Sequence, residues 1–228
     1  MIPVIARNRD RYFSQRDNVK PYWISDGFVW STDSKGETVP LFEEKDLEKR
    51  ERELFDRSTR CFMSSGTMFS NSLWKGGLLP SQMDEIAYEQ AINENLAGKE
   101  DRFFWSAHER VIDILIGHTD FDFRVIRAKE NFSEVKKSID LGFPVICSIW
   151  IKPYYPSGKG HIVCIVGYAV NDKGEVVGYY LDDPFGNVLG KYKDTNGEKV
   201  FIPSKDMDKL LDSPPREPRM MGLLRSKK

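Results

Sequence analysis

The spacing of hydrophobic positions changes along the chain, from a helical period in the first half to strand-like runs in the second. Residues 11–33 carry aromatic side chains interrupted by Gly, Pro and Asp, which predicts short extended segments and loops. Residues 41–57 are dense in helix formers, with mixed charges at i,i+4 spacing and apolar positions at Phe42, Leu47, Leu54 and Phe55. They predict a helix with one thin buried stripe. Helical spacing returns through Met63, Met68, Phe69, Leu73 and Trp74, with Ser58 or Thr59 as cap and Gly76-Gly77 as terminator. Helices are expected over 81–97, 105–116 and 131–142, and strands over 121–127 and 144–151. The remainder reads as strands at 161–170, 175–182, 188–193 and 199–203. Helices followed by a predominantly antiparallel sheet make an α+β layout. No repeat or low-complexity linker divides the chain, so one domain over 1–228 is expected, with a flexible tail at 214–228 rich in Pro, Lys and Arg.

Composition narrows the partners. A net charge of −1 on 228 residues gives no electrostatic reason to expect nucleic acid or an anionic membrane. No apolar run reaches the roughly 20 residues that span a bilayer. The first ten residues are too polar for a secretory signal, so a cytoplasmic protein on synthesis is expected. Three cysteines, Cys61, Cys147 and Cys164, form neither a disulfide framework nor a paired zinc motif. His108 and His118 lack a HExxH-type helix, and neither a metal nor another cofactor is expected.

Chemistry enters with one stretch, Gly160-His-Ile-Val-Cys-Ile-Val-Gly-Tyr168, followed by Asp182-Asp-Pro-Phe-Gly-Asn187. A histidine opens an apolar strand, and the next strand ends on an acid before a Pro/Gly turn. Adjacent antiparallel strands of this kind bring imidazole and carboxylate together, and a nucleophile would complete a hydrolytic site. Cys147 and Cys164 lie inside apolar strand patterns and read as small core residues. Cys61 instead falls in the first turn of a predicted helix, where the unpaired N–H groups favour a thiolate. His161 would share its proton, and Asp183 or Asp182 would orient the ring, since neighbours on a strand face opposite ways. The Cys61 N–H and the Gln15 amide are candidate donors to an oxyanion. Trp23, Phe28, Trp30, Trp150, Tyr154 and Tyr155 can line a cleft or pack a core.

The segments Tyr-Phe-Ser-Gln-Arg-Asp-Asn, Thr-Arg-Cys-Phe-Met-Ser-Ser-Gly-Thr-Met, Gly-Phe-Pro-Val-Ile, Gly-His-Ile-Val-Cys-Ile-Val-Gly-Tyr and Asp-Pro-Phe-Gly-Asn resemble papain-like cysteine peptidases. The resemblance is to the bacteriocin-processing, double-glycine type, in a free-standing branch common in bacteriophage and bacterial genomes. It runs from about Tyr12 to Tyr192. It implies a papain-like fold, with an N-terminal helical part packed on a C-terminal antiparallel sheet. Carried over by position, it implies nucleophile Cys61, acid–base His161, orienting acid Asp183 and oxyanion donor Gln15.

Two departures from that pattern matter. Phe62 stands where leader-processing members usually have glycine, which argues against a double-glycine leader as substrate. Gln15 lies 46 positions before Cys61, which makes 21–57 an insertion. The resemblance implies hydrolysis of a peptide or other amide bond, on peptidoglycan during phage lysis or entry, or on a protein. Such an endolysin would reach the wall when the membrane fails, or travel with the virion. The contrasting expectation is a papain-like binding or virion structural protein with a relict triad. Oligomeric state is not legible.

Overall fold

The computed structural model describes residues 1–15, 22–32, 37–54, 60–156 and 158–227. These fall into two compact units, Met1–Ser14 with Cys61–Lys228, and Gln15–Arg60. The segment 21–57, expected as an insertion, lies wholly within the smaller unit.

The larger unit begins with strand β1 (Ile2–Ile5). The smaller unit then holds β2 (Tyr22–Ser25), β3 (Phe28–Thr32) and β4 (Thr38–Glu43), an antiparallel sheet in the order β2-β3-β4. Asp26-Gly27, both with positive φ (51° and 76°), make the tight turn between β2 and β3. A 3-10 turn at Glu44–Asp46 leads into helix α1 (Leu47–Leu54). Val29 and Phe42 are the buried centre of this unit, with Leu41 and Leu47 against them. The helix expected over 41–57 thus begins six residues late. Cross-strand pairing of Val29 with Phe42 draws that stretch into the sheet and overrides its helix propensity. Phe55, Ser58 and Thr59 lie outside the described residues.

The larger unit continues with three helices, α2 (Cys61–Lys75), α3 (Glu85–Glu94) and α4 (Trp105–Ile116). Strand β5 (Phe121–Arg127), helix α5 (Ser133–Leu141), β6 (Val145–Trp150), β7 (Gly160–Val170) and β8 (Val176–Asp182) follow. The chain finishes with β9 (Val200–Pro203), α6 (Ser204–Leu211) and β10 (Met220–Ser226). The sheet order is β5-β10-β6-β7-β8-β9, and every neighbouring pair is antiparallel. β1 pairs with residues 167–170 of β7, past the stretch of β7 that β6 occupies.

Helices cover both faces. On one side α2, α3 and α4 supply Phe69, Leu73, Ile92, Val111 and Ile112 against Phe123, Ile146 and Leu224 of the sheet. On the other, α5 and α6 supply Val135, Ile139, Met207 and Leu210 against Val145, Cys147, Val163 and Leu223. Residues 145–147 alternate between the two cores, which is why β6 reads as a continuous apolar run. The helical layer is therefore not confined to the N-terminal part as expected.

Two expectations are corrected here. Residues 188–193 form turns, not a strand, because the Asn187 carboxamide oxygen accepts from Leu189 N (3.0 Å) and Gly190 N (3.3 Å). That local bonding competes with a strand ladder. The tail does not fray as a whole, because β10 is an interior strand between β5 and β6. Its Met221, Leu223 and Leu224 are at most 1% exposed. Pro and basic residues before it disguise a seven-residue strand. Leu223→Ala should therefore cost about 2–5 kcal/mol in urea denaturation; a change within about 0.5 kcal/mol would mark a peripheral tail.

Candidate active site

Cys61 is the first residue of α2 and is partly exposed, unlike the two strand cysteines. α2 lies against β7, and Ser65, one turn on, donates its hydroxyl to the carbonyl of Ile162 (3.2 Å). That contact ties the helix start to the strand start. His161 is the second residue of β7 and only 6% exposed. Its Nε2–H donates to Asp183 Oδ1 at 2.6 Å. The ring also interacts with Cys61 by hydrogen bond and charge. Burial opposes an imidazolium here, yet the Asp183 carboxylate, with a smaller contribution from Cys61, raises the pKa to about 10. The ring therefore carries its proton at neutral pH.

Asp183 follows the last residue of β8 and is held by its backbone as well as its side chain. Its N–H donates to Gly197 O (2.9 Å), its carbonyl accepts from Tyr12 Oη (2.8 Å), and its Oδ1 also accepts from Phe185 N (2.9 Å). Asp182 turns the other way. It takes a bidentate contact from Arg9 (2.8 and 3.0 Å) and the N–H of Lys199 (2.8 Å). Burial lifts the Asp182 carboxyl above its usual range in spite of Arg9. Of the two acids left open by the strand pattern, Asp183 is the one bonded to His161.

The N-terminal segment sets this turn. Ala6 N–H bonds to Val166 O (2.8 Å), Arg9 O accepts from Lys75 Nζ (2.7 Å), and Ser14 Oγ reaches Pro184 O (3.4 Å). Tyr12 and Arg9 thereby brace both acids from the same strand of chain. Gly197 completes the brace, because a Cβ there would sit 1.8 Å from the Asp183 carbonyl oxygen. Sequence reasoning missed Arg9, Tyr12 and Gly197. Nothing in their local pattern marks them, since each acts across more than ten residues of chain.

The remaining candidates separate clearly. Cys147 and Cys164 are fully buried; burial pushes Cys147 up to about 12 and Cys164 well above the ordinary thiol range. His108 is buried, and burial lowers its pKa to about 4. Its Nε2–H donates to Arg102 O (2.9 Å), so Nδ1 accepts from Tyr88 Oη (2.8 Å). Phe62 stacks on that ring with centroids 3.5 Å apart. The phenylalanine after Cys61 is thus a core side chain that anchors the helix start. His118 is exposed, and among the described residues no group of three or more His, Cys, Asp or Glu can hold a metal ion. No helix among them is long and apolar enough to cross a membrane. Gln15 is the first residue of the smaller unit. Trp23 and Phe28 of that unit are exposed, whereas Tyr154 and Tyr155 pack on the main core.

Residues 51–207, well over half the chain, match the Peptidase_C39-like family. The chain belongs to that family. A papain-like cysteine peptidase is what membership indicates, and the mixed helix and antiparallel-sheet architecture agrees with it. The matched span contains Cys61, His161 and Asp183; Gln15, Arg9, Tyr12 and β10 lie outside it. A search of curated proteins finds no match.

Two measurements probe this site. A folded-state pKa near 10, against about 6.5 unfolded, stabilises the protein fully below pH 6.5 and is lost as pH rises through 10. The stability advantage of wild type over Asp183→Asn should shrink across that window in urea titrations. Gly197→Ala should displace the Asp183 main chain and lower the His161 pKa toward 6.5 in NMR titration of the imidazole, with circular dichroism unchanged.

Proposed function

We propose that the chain is a thiol hydrolase that cuts peptide or other amide bonds through an acyl-enzyme, with Cys61 as nucleophile. The observation that carries this reading is His161 bonded at once to Asp183 and to the cysteine that opens α2. The Cys61 sulfur attacks the substrate carbonyl carbon, and its electron pair moves onto oxygen. N–H groups at the start of α2 are assigned to that oxyanion. The tetrahedral adduct collapses, the C–N bond breaks, and His161 gives its proton to the leaving amine. Neutral His161 then takes a proton from water, the resulting hydroxyl adds to the thioester carbonyl, and collapse breaks the C–S bond, releasing the acid and restoring the thiolate beside the imidazolium. Asp183 keeps the ring in the tautomer and orientation both steps need.

The two substrate classes proposed are peptidoglycan stem or bridge peptides during phage lysis or entry, and a viral or host protein. Phe62, buried against His108, supports neither a glycine at that position nor leader processing of the usual kind. Localisation follows the substrate: synthesis in the cytoplasm, with release to the wall at lysis.

Iodoacetamide should label Cys61 far faster than Cys147 or Cys164, by peptide mass mapping, and His161→Ala should remove that preference. Purified protein should release peptides from cell walls or cut a peptide library, with Cys61→Ser inert and His161→Ala slower by about 10²–10⁴-fold. Equal, slow labelling of all three thiols would point to a binding protein with a relict triad. Added amines trapped in the product would mark acyl transfer instead of hydrolysis.

A further inference from the structure

Arg219, the residue before β10, is 9% exposed and buries a guanidinium at the same end of the sheet as His161. It lies over the Trp150 ring, 5.3 Å from the centroid, and its Nη1 reaches Ser148 Oγ at 3.3 Å. Nε and Nη2 donate to the Glu217 carbonyl at 3.0 and 2.6 Å. The nearest carboxylate oxygen, Glu217 Oε2, is 3.7 Å away on a side chain 56% exposed. Five N–H groups thus meet three acceptor contacts among the described residues, and a carboxylate in direct hydrogen-bonding contact is missing. Glu217 pairs with the guanidinium by charge at 3.7 Å, and buried N–H groups that meet no acceptor still cost free energy. Burial accordingly holds Arg219 below the ordinary arginine range.

Position connects this cation to the thiol. Trp150 pairs with Gly160 and Ile149 with His161 across β6 and β7. A Cβ at Gly160 would lie 2.6 Å from Arg219 Nη1, so the guanidinium occupies the space that a side chain next to His161 would fill. Ser148 pairs with Ile162, whose carbonyl takes the Ser65 hydroxyl from α2 one turn after Cys61. Ser148 and Trp150 share strand parity with Ile146, which faces the α2–α4 side. The guanidinium, the bare backbone at Gly160 and the indole therefore sit on the α2 side of the sheet, one residue along β7 from His161, whose own side chain shares the parity of Val163 and leaves the strand on the other side.

We infer that Arg219 is a specificity-determining residue that takes a carboxylate of the substrate, with Gly160 making room for it and Trp150 walling one side. The inference rests on the proposed thiol hydrolase reading and deepens it. Arg219 touches none of the reacting atoms, so its removal should change which substrates are cut and leave the chemistry of Cys61 in place. The carboxylate can be a Glu or Asp side chain or a free chain terminus; both offer the two oxygens that match a guanidinium fork.

The test uses peptides carrying a thiol-reactive ketone, paired as Glu against Gln at each scanned position and as free against amidated terminus. The readout is the rate of Cys61 labelling by mass spectrometry on the full chain. Wild type should favour one acidic member by about tenfold or more, a charge-assisted contact being worth about 1.5–3 kcal/mol. Arg219→Lys should keep part of that preference. Arg219→Gln should abolish it while labelling by the neutral peptide and by iodoacetamide stays as in wild type. Whichever pair discriminates tells side chain from terminus. Labelling without any acid preference in wild type, or a preference that survives in Arg219→Gln, overturns the assignment of Arg219 alone. Failure of every reagent to single out Cys61 overturns the hydrolase reading and this inference with it.

Discussion

Two adjacent carboxylates, both 1% exposed, end strand β8, and the site is organised by the need to compensate them. Neighbouring side chains leave the backbone on opposite sides, so one cation cannot serve both. Asp182 takes Arg9 in a bidentate grip, and Asp183 takes His161. A buried carboxylate without its partner would cost several kcal/mol, so each pairing fixes the chain that supplies the cation. Arg9 brings back the N-terminal segment, whose Tyr12 then holds the Asp183 carbonyl. The acid beside the imidazole is thus positioned by residues far from it in sequence.

The apolar layers do for Cys61 what the ion pairs do for Asp183. α2 is buried along almost its whole length, sandwiched between the sheet and the other helices. Phe62 locks its first turn by stacking on a histidine kept neutral by burial. Ser65 fixes its height on β7. Little freedom remains for the sulfur to wander from the ring, and an entropy that substrate binding would otherwise have to offset is removed during folding.

Much of this was legible in the sequence because the signals are local. The boundaries of α4, β5, β7 and β8 follow the periodicity closely, and the His161 strand and the Asp182-Asp183 turn stand out as patterns. What was not legible depends on partners distant in sequence. Helix propensity at 41–43 lost to strand pairing with β3, and the strand pattern at 188–193 lost to Asn187 bonding its own backbone. β10 looked like a tail because its value lies in the gap it fills between β5 and β6. α6 carried a readable stripe, Met207, Leu210 and Leu211, yet its eight residues after a proline gave a short window. The strand rule alone left Asp182 and Asp183 equal; the Arg9 contact separates them, and no periodicity encodes it.

The raised pKa of His161 has a consequence for the proposed cycle. An imidazole held protonated by both Asp183 and Cys61 suits the first half-reaction, in which a leaving amine must receive a proton. The same ring would be a poor base for water if nothing changed. Acylation changes it: the sulfur becomes a neutral thioester, and its share of the cation's stabilisation disappears. In the proposed cycle, proton donation to the amine leaves the ring neutral when water arrives, and the sulfur no longer adds to the stabilisation of its cation. Asp183 remains, so orientation is kept while basicity shifts. On that proposal, one contact between sulfur and ring would let a single histidine act first as acid and then as base.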